Sequence, residues 1–433
     1  MRILVLSQYW WPENGVPQRR WRWLTSILRG EGHEVDVIAP LPLCGQQAGR
    51  GDDPCQFAIE LRDNERGPSG EHIYRCKSLA SSDSLTHRAI AQAFVAASTI
   101  RTAWRLRRSH ELAKPDVVIG TVPALPTAVA TFFVARVMRV PYVIDLRDAW
   151  PDLIDYGRFW NDGTGKKSLR EKILQHGPFQ LVGSLTKKIL KFVYRHSEVI
   201  ILTAAHLRTN LTETLSREDA TQIPRTVTIR NVFPADFELA GELDFREAGG
   251  ELNVLYAGTL GRAQQLSNAI EAVELATEKG YRINLRLVGK GATSELLRSE
   301  ASKSNCSVTV LDEADPEELI RHYKWADTAL VHLANWPPLR AAVPSKTFEL
   351  MRIGIHISAA VEGETAELVS NLKAGDVVPP MDPEALAFLW CSLIEDRSRL
   401  KIGPEAKEWL MREVETETPR KLRELLSSIE EQR

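Results

Sequence analysis

The sequence predicts an α/β protein with two doubly wound, parallel-sheet (Rossmann-like) domains that face a central cleft. Three observations support this prediction. The chain has 433 residues, which is too long for one ordinary core. Short apolar runs alternate with segments of helical periodicity, as in βαβ units. This pattern stops at a polar, acidic stretch (236–251) and then starts again.

The first half opens with a strand–helix–strand unit. Ile3–Leu6 and Val35–Ala39 are predicted strands, and the helix between them ends near Gly30 and Gly32. An irregular insertion is expected at 40–83, with a short strand near 71–75. Further strands are predicted at 116–119, 142–146, 199–202 and 227–229, with helices at 84–108, 124–139 and 181–196.

The second half repeats this alternation. Strands are predicted at 252–256, 283–288, 308–311, 328–332 and 355–359, with helices at 267–277, 293–303, 316–324, 345–352 and 405–431. We therefore expect domains at 1–232 and 233–405, with a C-terminal helix (406–433) that packs back toward the first domain. Ligands of open α/β sheets bind beyond the carboxyl ends of the strands. The predicted site therefore lies at those ends, in the cleft between the domains.

Composition argues against several classes of protein. The formal net charge is −2, from 55 basic and 57 acidic residues, so we expect no nucleic-acid partner. Five cysteines without metal-ligand spacing favour a reduced, cytoplasmic protein. We expect no bound metal and no cofactor. The apolar run at the N-terminus is too short for a signal peptide.

Two places in the first domain carry candidate site residues. Gly15 and Arg19 lie in the loop and helix start after the first strand, where free amides and the charges of Arg19 and Arg20 suit an anion. The alternative is a turn glycine with surface arginines. Asp148 follows the strand 142–146 and is a candidate to orient or deprotonate an acceptor hydroxyl. Its alternative is a capping or ion-paired residue, with Arg147 as the partner.

Two strand-end loops of the second domain carry glycines. In the first, Gly261 precedes Arg262, whose guanidinium matches a diphosphate, and Gln264 follows shortly after. The spacing differs from the GxGxxG dinucleotide fingerprint, which argues against NAD. The second loop, with Gly289 and Lys290, is a candidate to wrap a base or ribose, and a plain turn is the alternative.

A third loop of the second domain leads into a helix. Ser345 is a candidate N-cap, and Lys346 in the first turn adds charge to a phosphate-binding helix start. Glu349 lies one turn further on the same side, where a carboxylate suits the two hydroxyls of a ribose. The alternative for Glu349 is a solvated helix residue.

The helix 181–196 is amphipathic and basic. Lys187, Lys188, Lys191 and Arg195 fall on one face, and Leu185, Ile189, Phe192 and Val193 fall on the other. The favoured interpretation is an apolar face against the core and a solvated basic face. Peripheral contact with an anionic membrane, at the inner face of the cell membrane, is the alternative.

These motifs together resemble the glycosyltransferase family four group of GT-B enzymes, over nearly the whole chain. The segments that carry the resemblance are QYWWPENGVPQRRWRWL, GHEVDVIAP, PYVIDLRDAWPD, IRNV, YAGTLGRAQQL, LVGKG, VPSKTFELMRIG and AGDVVPP. The RDAWP and PSKTFE segments resemble the subgroup that builds bacterial cell-surface polysaccharides.

The resemblance implies a retaining, metal-independent transfer of sugar from a nucleoside-diphosphate sugar to a glycan, lipid-linked or small-molecule acceptor. Arg262 matches the family's diphosphate-binding arginine, and Glu349 matches the glutamate that binds ribose. Gln264 stands where a lysine is usual, and Ala341 where a second glutamate is frequent. Arg147 replaces a frequent histidine, which makes Asp148 the better acceptor contact.

Two other functions remain open at this point. One is a nucleotide-sugar epimerase of the same fold, although no set of carboxylates and histidine suited to elimination is visible. The other is a degenerate nucleotide-sugar-binding protein, which the substitutions at Gln264 and Ala341 would explain.

Overall fold

The computed structural model describes residues 1–13, 15–42, 64–79, 85–150, 178–218, 223–234 and 250–431. These residues form two compact units. The first unit draws on 1–151, 182–233 and 416–433, and the second on 152–181 and 234–415. The C-terminal residues thus belong to the first unit.

The first unit contains an eight-stranded sheet in the order β3-β4-β2-β1-β5-β6-β7-β8. All neighbouring strands pair in parallel, except that β3 is antiparallel to β4. The strands are β1 (Arg2–Leu6), β2 (Glu34–Pro40), β3 (Asn64–Arg66), β4 (His72–Cys76), β5 (Val117–Val122), β6 (Tyr142–Leu146), β7 (Val199–Leu202) and β8 (Arg225–Thr228).

Among the described residues, five helices connect these strands, and a sixth comes from the C-terminal part of the chain. They are α1 (Val16–Gly30), α2 (Leu85–Arg108), α3 (Pro126–Met138), α4 (Pro178–Arg195), α5 (Ala205–Glu218) and α13 (Thr418–Glu430). Crossovers between parallel strands are right-handed. The connections through α2, α3 and α4 all run in one direction across the sheet, so these helices cover one face. The connection through α1 runs the other way, which places α1 on the opposite face.

The second unit contains a six-stranded parallel sheet in the order β11-β10-β9-β12-β13-β14. Its strands are β9 (Glu251–Ala257), β10 (Arg282–Val288), β11 (Val308–Leu311), β12 (Thr328–His332), β13 (His356–Ala360) and β14 (Gly375–Val378). Its helices are α6 (Ser267–Glu278), α7 (Ser294–Lys303), α8 (Pro316–Trp325), α9 (Ser345–Ile353), α10 (Glu364–Asn371), α11 (Pro383–Glu395) and α12 (Glu405–Arg412). A 3-10 turn (Pro337–Ala341) precedes α9.

The elements that the sequence pattern left unassigned are short or weakly amphipathic. They are β3, α5, α10, β14 and α11. The four residues of β14 are all half-buried, so they show no alternation that would mark a strand. The helix α11 is apolar on nearly every side because its residues pack into the core of the second unit.

One buried ion pair connects α1 to β6 in the first unit. Arg20 is fully buried, and its Nη2 donates to Oδ1 of Asp145 at 2.9 Å. The Nη1 group donates to the Asn231 side chain and to the backbone carbonyls of Ile229 and Arg230. The interpretation of Arg20 as a surface or anion-binding residue is therefore wrong, because the side chain is fully buried and each of its three nitrogen atoms donates to the protein.

The orientation of α4 also differs from the favoured interpretation. Leu190, Val193 and Tyr194 face the core, whereas Leu185, Ile189 and Phe192 are exposed. The predicted apolar face was therefore only partly correct. A helical wheel gives the spacing of apolar residues, but the packing of α4 on the sheet decides which of them are covered.

Candidate functional site

The two glycine loops of the second unit pack directly against each other at the carboxyl edge of the sheet. The amide of Leu260 donates to the carbonyl of Lys290, and the amide of Thr293 donates to the carbonyl of Leu260. Gly289 has a φ of +147°, and a Cβ there would collide with the carbonyl oxygen of Gly258. Gly289 is therefore required for this close approach of two loops.

The helix α9 begins at Ser345, and Pro344 is its N-cap. No side-chain hydrogen bond caps this helix, so the prediction of Ser345 as the N-cap is wrong. Proline fits there because its ring sets φ near the value that the cap needs. Because α9 follows β12 of a parallel sheet, its N-terminus lies at the carboxyl edge, where the glycine loops also lie. A helix start of this kind attracts anions.

The side chain of Lys346 reaches from the first turn of α9 to the loop after β9. Its Nζ lies 3.3 Å from the centroid of the Tyr256 ring, and a Cβ at Gly258 would lie 2.7 Å from Nζ. Nζ is buried and has no hydrogen-bond partner within the described part of the chain. Burial lowers the pKa of this amine to about 7, and the Glu349 carboxylate opposes the shift. An amine in such surroundings gains strongly from an anionic ligand.

Glu349 is held in place by a neighbouring tyrosine. The Tyr323 hydroxyl, on α8, donates to Oε1 of Glu349 at 2.8 Å. Tyr323 is almost fully buried, whereas Glu349 is half-buried. One carboxylate oxygen is thus bound by the protein, and the group keeps capacity to accept further hydrogen bonds. The interpretation of Glu349 as a freely solvated residue is therefore wrong.

Arg262 lies in the loop after β9, in the same edge region. Its Nε is buried and has no hydrogen-bond partner among the described residues. Gln264 folds back over this loop, since its Oε1 lies 2.6 Å from where a Cβ of Gly261 would be. Lys290 is exposed on the second glycine loop. Ala341, which stands where the family frequently has a glutamate, is buried at the end of the 3-10 turn. A methyl group therefore takes the place of that carboxylate.

In the first unit, the loop after β1 offers less to an anion than expected. The amide of Gly15 donates to Oε1 of Gln18 at 3.1 Å, and the φ of Gly15 is −102°, which any residue adopts. The free-amide prediction is therefore wrong at Gly15. The guanidinium of Arg19 stacks over the ring of Phe233 at 5.0 Å.

Asp148 and Arg147 follow β6, at the carboxyl edge of the first sheet. Asp148 is exposed, yet surrounding protein displaces enough water to raise the pKa of its carboxyl group, and Arg147 opposes this shift. Arg147 is buried, and its Nε and Nη1 have no hydrogen-bond partner in the residues described. Burial lowers the pKa of Arg147 to about 10. The sequence pattern did not single out Arg147 as a ligand contact, because its burial depends on tertiary packing.

The site residues therefore form two groups. In the second unit, the structure brings Lys346 together with the Gly258 loop and with Glu349, and adds Tyr256 and Tyr323, which sequence reasoning missed. In the first unit, Arg19 and Asp148 follow different strands at the carboxyl edge of one sheet. Among the residues described here, no three His, Cys, Asp or Glu side chains are clustered as metal ligands.

Comparison with known families assigns both halves of the chain. The family model described as "Glycosyl transferases group 1" matches residues 244–409, and the model described as "Glycosyl transferase 4-like domain" matches residues 15–226. Together these matches cover most of the sequence. The chain therefore belongs to the family-four type of glycosyltransferase, and it is an enzyme of that class.

Individual relatives agree with this assignment. A protein of Pseudomonas aeruginosa named "Probable glycosyltransferase WbjE" is 25% identical over 318 residues, which cover 70% of this chain and 71% of that one. Among solved structures, Anabaena HepE in complex with UDP-glucose has a TM-score of 0.62 at 14% identity, covering 99% of this chain and 100% of that one.

Two further solved structures share the architecture. Sucrose-phosphate synthase from Thermosynechococcus elongatus has a TM-score of 0.61 at 14% identity, covering 99% of this chain and 100% of that one. The lipopolysaccharide outer core galactosyltransferase WaaB has a TM-score of 0.58 at 11% identity, covering 99% of each chain. At these identities the structural likeness shows the fold, which is GT-B.

Proposed function

We propose that this enzyme transfers a sugar from a nucleoside-diphosphate sugar with retention of configuration and without a metal ion. One observation carries the proposal: the buried amine of Lys346 has no hydrogen-bond partner in the described residues and lies beside the Gly258 loop. A diphosphate at the start of α9 would supply the missing partner.

The charge balance of the reaction fits this arrangement. Breaking the bond between the sugar and the diphosphate leaves negative charge on the β-phosphate. Lys346, Arg262 and the first-turn amides of α9 supply positive potential at that place, so we propose that no metal is needed. Lys346 thereby takes over the charge that the lysine absent at Gln264 would provide.

We propose front-face attack for the transfer step. The acceptor oxygen bonds to the anomeric carbon on the side from which the diphosphate departs, and the acceptor proton passes to the departing phosphate oxygen. No enzyme nucleophile is required in this step. Asp148 then orients the acceptor hydroxyl by accepting its hydrogen bond at the carboxyl edge of the first sheet.

Glu349 supports the choice of a nucleotide donor. Its carboxylate is held by Tyr323 and has capacity to accept the two hydroxyls of a ribose. We propose that Ser345, Gly261, Gln264, Gly289 and Lys290 line the same donor region, and that Arg19 adds charge. HepE and another structural neighbour were solved with UDP or a UDP-sugar, which supports a nucleoside-diphosphate donor here.

The acceptor that we propose is a glycan, a lipid-linked saccharide or a small molecule. The pathway class is cell-surface polysaccharide or glycoconjugate synthesis in the cytoplasm, which the resemblance of the RDAWP and PSKTFE segments supports. The structural likeness to WaaB, a lipopolysaccharide galactosyltransferase by its name, is consistent with this class.

Ligand-induced thermal stabilisation with a panel of UDP-, GDP-, ADP- and dTDP-sugars tests the donor class. A donor at about 100 times its Kd stabilises by roughly 2.7 kcal/mol. We expect Arg262→Ala to abolish that shift, while Arg298→Ala, at an exposed salt bridge on α7, retains it. Stabilisation by no member of the panel would contradict the proposal.

Incubation with the stabilising donor distinguishes the remaining alternatives. Epimerised sugar in the absence of any acceptor would indicate an epimerase. Tight donor binding with neither transfer nor slow hydrolysis would indicate a degenerate binding protein. Retention is tested by the anomeric configuration of the product, measured by NMR.

A further inference from the structure

Three neighbouring helices of the first unit carry no acidic residue. They are α2, α3 and α4, and together they contain ten arginine and lysine residues. Since the whole chain has a net charge of −2, this basic charge is concentrated locally. All three helices cover the same face of the sheet, and α2 packs against α3.

The same helices expose large apolar side chains. On α4, Leu185 is 60% exposed and Phe192 is 49% exposed, with Ile189 between them on the same side. On α3, Phe133 is 48% exposed, and Val137 lies one turn further along. We call these five residues the apolar strip. A contiguous exposed apolar cluster of this kind is typical of an interaction surface.

Ring contacts connect the two helices of the apolar strip. The Phe132 ring lies 5.5 Å from that of Phe133 and 5.5 Å from that of Phe192, in edge-to-face geometry. The strip therefore continues from α3 to α4. On α2, Ile90, Phe94 and Trp104 are exposed as well, which extends the apolar and basic character along this face.

Charged groups border the apolar strip. Arg136 and Arg139 are exposed beside Phe133 and Val137, and Lys188 is exposed beside Leu185 and Ile189. A second copy of this chain would set cations against cations, which is unfavourable. An anionic lipid surface instead matches both features, since it accepts apolar side chains at the level of the acyl chains and cations at the headgroups.

We propose that α3 and α4, through the apolar strip and its bordering cations, dock this protein on the surface of an anionic lipid bilayer. This surface contact is independent of the reaction proposed above. The helices lie on the membrane, since none of the described helices is long and apolar enough to cross one. Insertion of the strip and attraction of the cations act together, so neutral vesicles bind weakly.

Vesicle flotation tests this inference with the full chain. We expect the protein to float with vesicles of phosphatidylcholine and phosphatidylglycerol, and to stay at the bottom with phosphatidylcholine alone. The triple variant Leu185→Ser, Ile189→Ser, Phe192→Ser should lose at least about tenfold in vesicle affinity. Phe388→Ser is the matched control, because Phe388 is 70% exposed on α11 of the second unit and should leave binding unchanged.

A second variant tests the charges. Arg136→Gln combined with Lys188→Gln should reduce affinity about fivefold for each cation removed, and added salt should weaken binding of the wild type. The substitutions are at exposed positions, so circular dichroism melts should match the wild type.

Three outcomes would overturn the proposal. One is absence of the wild type from anionic vesicles. Another is equal binding to neutral and anionic vesicles. The third is a dimer in light scattering that the triple serine variant dissociates, without any vesicle binding, which would assign the strip to self-association.

Discussion

Arg20 of the first unit and Lys346 of the second unit both have buried cationic groups, and the surroundings of these two groups are opposite. In the first unit, Arg20 donates to the Asp145 carboxylate, to Asn231 and to two backbone carbonyls. In the second unit, the Nζ of Lys346 is buried over the Tyr256 ring and has no hydrogen-bond partner in the described residues. Both cations lie near the carboxyl edge of a parallel sheet.

The difference separates a structural cation from a ligand-binding one. Arg20 stabilises the fold because its desolvation is offset by a buried carboxylate and several further acceptors. Lys346 has no such acceptor, so its burial destabilises the protein until an anion arrives. Four measurements test this contrast, from the largest expected effect to the smallest.

Loss of the Arg20 partner should destabilise the first unit strongly. Arg20→Met leaves the buried Asp145 carboxylate without its ion pair, and we expect a loss of about 3–5 kcal/mol in the free energy of unfolding. Urea denaturation measures this change. The double variant Arg20→Met, Asp145→Leu should recover much of the loss, since it removes the unpaired charge. A loss below about 1 kcal/mol for the single variant would show that Arg20 is not a structural cation.

Replacement of Lys346 should reduce catalysis without reducing the free energy of unfolding, in contrast to replacement of Arg20. Lys346→Met should lower kcat/KM for the donor about 10²–10³-fold, because the developing phosphate charge loses a buried donor. The free energy of unfolding should stay the same or rise, since a buried unpaired amine is replaced by an apolar side chain of similar length. Lys279→Met, at an exposed position after α6, is the matched control for kinetics. Marked destabilisation by Lys346→Met would remove the contrast with Arg20.

Glu349 tests whether the same region binds a ribose. Glu349→Gln should weaken nucleoside-diphosphate binding about tenfold, because the ribose hydroxyls lose a charged acceptor. Tyr323→Phe should have a smaller effect, since Tyr323 only positions the carboxylate. Calorimetry with a ribonucleotide and its 2′-deoxy analogue provides the comparison. The wild type should prefer the ribonucleotide, and Glu349→Gln should lose much of that preference. Equal discrimination in both proteins would contradict the assignment.

The smallest of the four expected effects is the uptake of a proton by Lys346 when the donor binds. Burial lowers the pKa of Lys346 to about 7 from an ordinary 10.5, so above pH 7 the free enzyme carries a neutral amine. In this range the unfolded chain binds more protons than the folded one, and stability rises with pH from about 7 to 10.5. A bound diphosphate restores the charge, so donor binding near about pH 8 should take up about one proton.

Calorimetry in buffers of different ionisation enthalpy measures that proton uptake. Lys346→Arg should bind without it, because a guanidinium stays charged throughout this range. The same uptake in both proteins would place the titrating group elsewhere.

Much of the fold follows from sequence pattern. The strand Tyr142–Leu146 was predicted with the bounds that the structure shows, because a short run that is apolar except for Asp145 is typical of a strand buried on both faces. The helix 84–108 was predicted within a residue of its observed start. The short strand β14 and the apolar helix α11 were missed, because neither shows the periodicity that identifies an element facing water on one side.

The sequence predicted several residues of the candidate site, but it predicted few of the contacts that these residues make. Lys346 and Glu349 were singled out from their spacing after a strand-end loop. Ser345 was wrongly assigned as a cap, and Tyr256 and Tyr323 were missed, since they come from β9 and α8, far from α9 in sequence. Gly289 was correctly placed in a loop, but its need for glycine arises from the carbonyl of Gly258.

The sequence by itself determined the two parallel α/β halves and the family, because apolar periodicity and strand-end motifs are local properties of the chain. Tertiary structure alone decided which cations have partners and which apolar residues are covered. Arg19 and Arg20 are adjacent in sequence, yet one stacks on Phe233 and the other pairs with Asp145. Likewise, Ile189 and Leu190 are neighbours on α4, and only Leu190 is buried. Burial and pairing depend on what the rest of the chain brings to a side chain, which local pattern does not contain.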